Sequence, residues 1–312
     1  MHPAYSVILF TTASGAGYGL LALAGLAGAS HGPASTFAFG ATVMLIGLGL
    51  VSLGLLSSTL HLGHPERAWR AFSQWRSSWL SREGVAAIIT FVPALAFGAV
   101  WLNPEGSPAL IRAFGYAMAA MCVVTVVTTG MIYASLPTIR QWRNPLTVPV
   151  YLAFAAATGS CLLLAIAAWF GRGAVVLSYM TIGAILLAML IKGLYWRSID
   201  SAPKTLTAAM ATGLPGPVRQ WERPHTSENF VMKEMGYTVA RRHARKLRSV
   251  VFVALATALV FAIPAMGGMS TVAAVSASLG AIAALIGAVV ERWLFFAEAQ
   301  HVVTLYYGAE RA

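Results

Sequence analysis

The sequence predicts an all-α integral membrane protein with eight transmembrane helices, and three observations carry that expectation. The 312 residues are 58% hydrophobic and only 10% charged, whereas a soluble domain carries about 25% charged residues. Mean hydropathy is +0.72. Eight runs are long and apolar enough to cross a bilayer, which takes about 20 residues of helix.

The first run covers 5–29. No Lys or Arg precedes it and no small-residue cleavage pattern follows, so it reads as a retained span rather than a signal peptide. Gly15 and Gly19 form a GxxxG within it, and Gly47 and Gly54 are seven apart in the second run, 37–60. Small residues of this kind let membrane helices pack closely. The third to sixth runs cover 84–102, 113–136, 146–170 and 174–192. The last two, 249–269 and 270–297, divide at MGGMST, where adjacent glycines weaken a helix. Together these spans are expected to form one domain over 1–312, arranged as two four-helix groups. Cys122 and Cys161 both fall inside spans, so no disulfide framework or cysteine-held metal is implied.

Eight spans place both termini and the loops 61–83, 137–147 and 193–248 on one side. All but Arg112 and Arg172 of the 21 Lys and Arg lie at or near that side. The positive-inside rule then makes it cytoplasmic. A surface that docks an acidic partner would also be basic, in either compartment. Beside membrane spans, a net charge of +11 points to orientation, lipid headgroups or such a partner rather than to nucleic acid.

Two extramembrane segments concentrate the polar residues. In STLHLGHPERAWRAFSQWRSSWLSREG, residues 58–84, Pro65 suits a first helical position. An interfacial amphipathic helix is expected near 65–82, with Trp69, Phe72, Trp75, Trp79 and Leu80 on one face and Arg67, Arg70, Gln74, Ser77 and Ser81 on the other. Trp and Arg are at home at any membrane interface. His61 and Glu83 bracket this helix, and ionisable groups at membrane depth are costly. A His–carboxylate pair there suits a quinol, which releases two protons with its two electrons. They equally suit a His bonding the carbonyls at one helix end and a Glu favoured by the dipole at the next.

The second segment, 193–248, is rich in Pro, Gly and Thr before SENFVMKEMGYTVARRHARKLR, which reads as a helix capped by Thr226 or Ser227 with its basic residues in its last turns. It is expected to be a docking platform. Glu291, Glu298 and His301 share one potential helical face, read as a helix–helix clamp. No His lies mid-span, so no haem b is expected. No nucleotide or zinc motif occurs either. Spans almost free of charge argue against the alternative class, a stand-alone multi-pass transporter or channel.

Four separated segments together resemble the DmsC family, the membrane anchor subunits of dimethyl sulfoxide reductase-type molybdoenzymes. They are MHPAYSVILFTTASGAGYGLL, HLGHPERAW with SSWLSREG, RPHTSENFVMKEMGYTVARRHARKLR and RWLFFAEAQHVV. The resemblance implies an anchor without haem or metal of its own, which binds menaquinol or another quinol. It implies two partners, an iron–sulfur electron-transfer subunit that receives the electrons and a molybdopterin catalytic subunit. By the same resemblance His61 binds quinol, Glu83 takes or relays a proton, and Arg67 orients the loop. Partner docking is assigned to His64, Arg70, Arg76, Arg82, Arg223 and His225. An inner (cytoplasmic) membrane location is implied. The charge count puts the docking face in the cytoplasm, whereas the best-known family members hold their catalytic subunits in the periplasm.

Overall fold

The computed structural model describes residues 4–32, 34, 36–59, 64–172, 174–203, 206–218, 221–222, 239–267, 270–307 and 309. Among these, eight helices are long and apolar enough to cross a membrane. They are α1 (Tyr5–His31), α2 (Phe37–Thr59), α3 (Trp79–Trp101), α4 (Pro108–Ala134), α5 (Thr147–Trp169), α6 (Ala174–Ser201), α8 (Val239–Ala262) and α9 (Thr271–Ala297). A short α7 (Ala208–Thr212) lies between α6 and α8. The Thr207 hydroxyl caps it by accepting from the Met210 N–H at 3.3 Å, and Gly213 ends it with φ +69°, a conformation that suits glycine.

α1 and α5 are the most deeply buried spans. α1 packs on α2 and α4, and α3 packs on α4; α5 packs on α6 and α9, and α8 packs on α9 and α6. Two four-helix groups result, joined mainly where α1 lies against α5. That seam depends on the absence of side chains. A Cβ on Gly19 would lie 3.2 Å from the Gly159 Cα and closer still to the Ala155 backbone. The expected partner glycine, Gly15, instead meets nothing within 4 Å. Hydroxyls add cross-links typical of membrane bundles, each worth about 0.6 kcal/mol. Ser57 donates to the Ser6 carbonyl at 3.1 Å, Thr90 and Thr125 meet at 2.9 Å, and Ser276 donates to the Phe261 carbonyl at 2.8 Å. Replacing Gly159 by Val should therefore force α1 from α5, seen as a lowered melting temperature and aggregation in detergent. A variant as stable as the native chain would show that the seam tolerates a side chain.

Several boundaries move from the sequence expectation, for physical reasons. α3 begins at Trp79, so Glu83 lies one turn inside the helix instead of before it. α6 runs on to Ser201, because Lys192 finds a buried partner and does not end the span. Among the described residues α8 starts at Val239, so the run ARRHARKLR belongs to the helix that enters the membrane; the first half of the helix expected over 227–248, with its capping residues Thr226 and Ser227, lies outside the described residues. The expected interfacial helix over 65–82 is a 3-10 segment, Pro65–Gln74, followed by a turn at 75–77.

Candidate functional site

The Pro65–Gln74 segment is fastened to the start of α3 by groups that the sequence places one turn apart. Ser81 donates to the Ala71 carbonyl. Arg82 donates from Nε to the Trp75 carbonyl at 2.9 Å and from Nη2 to the Arg76 carbonyl at 2.7 Å, while its guanidinium lies 4.3 Å from the Trp79 ring centroid. Gly84 leaves room for Phe72, whose ring a Cβ there would meet at 2.9 Å. Arg82, half-buried, thus holds the segment in place, besides the partner-docking role expected of it. Arg82→Ala should loosen it, seen as faster hydrogen exchange and proteolysis within 65–77. Unchanged protection would assign the fastening to Ser81 and packing alone.

Behind this segment lies a cavity of about 670 Å³ whose walls are largely apolar. Val7 and Phe10 of α1, Ser58 and Thr59 of α2, Phe72, Glu83 and Tyr133 face it. Leu56, Leu80 and Ile88 form part of its wall and are exposed on the outside of the bundle, so it communicates with the space that lipid fills. His64 and Arg67 also line it. His64 Nδ1 is 3.1 Å from Glu66, and Arg67 Nε is 3.6 Å from the same carboxylate.

The carboxyl of Glu83 is the chemically distinctive group. It is 5% exposed, and its Oε1 has no hydrogen-bond partner among the described residues. No cation among the described residues forms an ion pair with it. A buried, unpaired carboxyl beside an apolar cavity is poised to exchange a proton with an occupant. The cavity thus brings together Glu83, Arg67 and His64. His61, Arg223 and His225 lie outside the described residues. Ser58, Thr59 and His64, on either side of the undescribed stretch 60–63, all line the cavity. Arg70 and Arg76 are exposed and lie beside Trp69 and Trp75, at 5.6 and 5.4 Å from their ring centroids. They remain available to a partner.

A second ionisable cluster is built on Glu291, one of the residues expected to form a helix–helix clamp; that Lys192 and Arg292 belong to it was not expected. Lys192 of α6 reaches Glu291 of α9 at 2.5 Å, and Arg292 Nη2 lies 3.3 Å from the same carboxylate. All three are almost wholly buried. The Lys192 ammonium sits over the rings of Tyr195 and Trp196 at 4.1 and 4.8 Å, and Arg292 lies 3.6 Å from the Tyr151 ring centroid, so the aromatic faces share the cations. Aromatic contacts among Tyr133, Trp142, Tyr151, Phe295 and Phe296 join both four-helix groups beside it. The signal lay in the adjacent Glu291 and Arg292 inside an otherwise uncharged run.

Glu298 is the clamp. It accepts from Arg248 Nε at 2.8 Å and from Trp196 Nε1 at 3.1 Å, and Arg248 also grips Asp200 with both terminal nitrogens. His301 takes no part. Burial holds its imidazole below the usual value, and its Nδ1 accepts from the Val303 N–H at 3.0 Å. Among the described residues no group of three or more His, Cys, Asp or Glu could hold a metal ion.

Comparison with known proteins places these features in context. Residues 1–308 match the family model described as DMSO reductase anchor subunit (DmsC). The chain is also 35% identical over 329 residues to a sulfite dehydrogenase subunit of Allochromatium vinosum, covering 98% of this chain and 99% of that relative.

Proposed function

From the premise that this chain belongs to the DMSO reductase anchor subunit (DmsC) family, a multi-pass membrane anchor subunit of a molybdoenzyme complex, we propose that it is the quinol-oxidising subunit. Electrons pass from menaquinol or another quinol, bound in the cavity beside Glu83, to an iron–sulfur subunit that serves a molybdopterin catalytic subunit. The observation that carries this reading is the cavity itself. It is about 670 Å³, open to the lipid side, apolar along most of its wall, and lined by Glu83, a buried carboxyl that forms no ion pair among the described residues. That is the shape and chemistry of a headgroup that carries an isoprenoid tail and two exchangeable protons. Glu83 takes or relays a proton, His61 binds the headgroup, and Arg67 orients the segment over the site. The exposed Arg70 and Arg76, with His64, Arg223 and His225, form the basic docking surface. No haem or metal belongs to this chain, and its membrane is the inner one of a bacterium.

One observation favours the same site run in reverse. The relative's name is that of a sulfite dehydrogenase subunit, and a complex of this chain that likewise oxidised its substrate would send electrons towards the membrane. The cavity would then bind a quinone and Glu83 would supply a proton to it.

His61→Arg tests the site in either direction. The complex should assemble with both partner subunits, as a mild-detergent pull-down and mass spectrometry would show, while quinol-linked turnover is abolished. Normal turnover by the assembled variant would remove His61 from the site. The chain emerging alone from several gentle detergents would remove the whole reading in favour of a transporter.

A further inference from the structure

A second large cavity lies at the other end of α1 from the one beside Glu83. It measures about 440 Å³, the size of a pocket for one organic ligand. Both four-helix groups form it. Gly28 and His31 of α1 and Trp101 of α3 stand on one side, with Leu163 and Ala167 of α5 and Met180 of α6 on the other. A Cβ on Gly28 would meet the Phe97 ring at 2.7 Å and Trp101 Nε1 at 3.0 Å, so a missing side chain lets the Trp101 ring lie against α1. Phe39 packs edge-on to Trp101 at 6.0 Å and to Phe170 at 5.7 Å. These rings join the two groups beside the cavity without filling it.

The wall is charged at one end only. Arg172 lies in the turn between α5 and α6, and His31 is the last residue of α1; both line the cavity where spans leave the hydrocarbon. Leu163 and Met180 lie about 9 Å deeper along α5 and α6, from a helical rise of ~1.5 Å per residue. Val176 and Met180, also in the wall, are 70% and 50% exposed, so the flank of the cavity opens towards lipid.

Arg172 has a backbone bond and nothing for its charge. Its N–H donates to the Ala167 carbonyl at 2.9 Å, but its guanidinium makes no ion pair, hydrogen bond or ring contact among the described residues. No carboxylate lines the cavity. His31 Nδ1 is 3.0 Å from the Ala27 carbonyl. A carbonyl only accepts, so Nδ1 carries a proton there and Nε2 is left without a partner among the described residues. An uncompensated guanidinium at the rim above an apolar slot is complementary to a phosphate that carries an acyl chain.

We propose that this cavity is a structural binding site for an anionic phospholipid, whose phosphate is held by Arg172 and whose acyl chain runs along the seam between the two four-helix groups. The planar guanidinium suits phosphate oxygens, to which it can donate two parallel hydrogen bonds. His31 adds a polar contact from the opposite wall. The acyl chain covers Leu163, Ala167 and Met180, and so bridges α1 and α3 to α5 and α6. A quinol matches less well, because no carboxyl is present to take its hydroxyl protons. A soluble anion would use the arginine and leave the apolar length empty. The proposal stands independently of what occupies the cavity beside Glu83.

The test uses the complete complex, transferred into nanodiscs of phosphatidylcholine with a minor fraction of phosphatidylglycerol. Native mass spectrometry counts the lipids retained on release. The variants are Arg172→Gln, Val176→Trp and Arg112→Gln. Arg112 is exposed and takes no part in the cavity wall, so it reports on non-specific attraction of anionic lipid. Arg172→Gln removes no side-chain bond within the described protein and should leave the complex assembled. The native complex and Arg112→Gln should retain one phosphatidylglycerol more than Arg172→Gln, which should need at least tenfold more of that lipid to regain it. Val176→Trp, which narrows the lipid-facing flank, should lose the same lipid although the cation is kept. Equal retention by Arg172→Gln and the native complex would overturn the proposal, as would no preference for phosphatidylglycerol over phosphatidylcholine. Retention by Val176→Trp, or displacement of the lipid by inorganic phosphate, would make this a site for a free anion and overturn the lipid assignment. A quinone retained in place of the phospholipid, and lost in Arg172→Gln, would overturn it in favour of a second quinone site.

Discussion

Glu291→Gln is expected to remove most of the folded protein from the membrane, and to do so more severely than Lys192→Met. Among the described residues, Glu291 is the only carboxylate in contact with Lys192 and Arg292. All three side chains are almost wholly buried, where water cannot screen them and the cations cannot reach solvent. Removing one member of a buried ion pair costs about 3–5 kcal/mol, because the remaining charge stays buried without compensation. The native cluster holds two cations and one carboxylate. Glu291→Gln leaves two cations and no anion, whereas Lys192→Met leaves Glu291 paired with Arg292. The double variant restores the native net charge and should recover part of what Glu291→Gln loses. Membrane yield and detergent melting temperature measure all three. Equal stability of Glu291→Gln and Lys192→Met would show that the cluster is not organised by charge. Native stability of Glu291→Gln would show that its protons rearrange to remove the cost.

The contrast between what sequence reveals and what it hides follows from how each feature is encoded. A membrane span is a statistical property of some twenty residues, so eight runs of apolar composition suffice to locate eight helices. The two four-helix groups are as expected, but the seam that joins them is made by residues far apart in the chain, such as Gly19 with Gly159, which no local pattern carries. The glycine spacing is informative only in part: Gly19, Gly47 and Gly54 meet neighbouring helices, but Gly15 faces a chamber. Helix ends shift wherever a charged residue reads locally as a terminator. Lys192 reads as part of the basic surface and lies in the interior, because a partner on a helix about a hundred residues away neutralises it. The same burial weakens the argument against a transporter. Charge-poor spans are one of its premises, and Lys192, Glu291 and Arg292 remove that premise. Family membership carries that distinction instead.

The cavity beside Glu83 is legible for a different reason. Residues 58–84 crowd polar and aromatic groups into a chain that otherwise has few, so the segment stands out without any knowledge of its neighbours. What it cannot disclose is the back wall of the cavity. Val7, Phe10, Ile132 and Tyr133 complete it, and nothing in their local sequence marks them. Arg82 illustrates the limit within the segment itself. Its position suggests an exposed cation, and only the fold shows the Trp75 and Arg76 carbonyls that it holds.

Glu83→Gln should show the opposite signature to Glu291→Gln: a stable, assembled complex with quinol-linked turnover lowered by about 10²–10⁴-fold, the range a positioned acid–base group contributes. The two glutamates are similarly buried but differ in what they touch. Glu291 meets two cations. Glu83 forms no ion pair with a described residue, and its Oε1 has no hydrogen-bond partner among them. A carboxamide of the same shape therefore removes no structural bond at Oε1. It also abolishes the cost of keeping a carboxylate in a dry site. Melting temperature should be equal to the native value or higher. A carboxamide neither accepts nor releases a proton at neutral pH, so the chemistry is lost while the shape of the cavity remains. Binding of a quinol analogue should stay within a few-fold. Glu83→Asp keeps the proton chemistry but withdraws the carboxyl by one methylene, so it should retain a measurable fraction of turnover. Loss of stability in Glu83→Gln, together with loss of turnover, would make Glu83 a structural residue. Native turnover in a stable Glu83→Gln complex would move the proton-exchanging group away from Glu83, with His64 as the other candidate among the described residues that line the cavity.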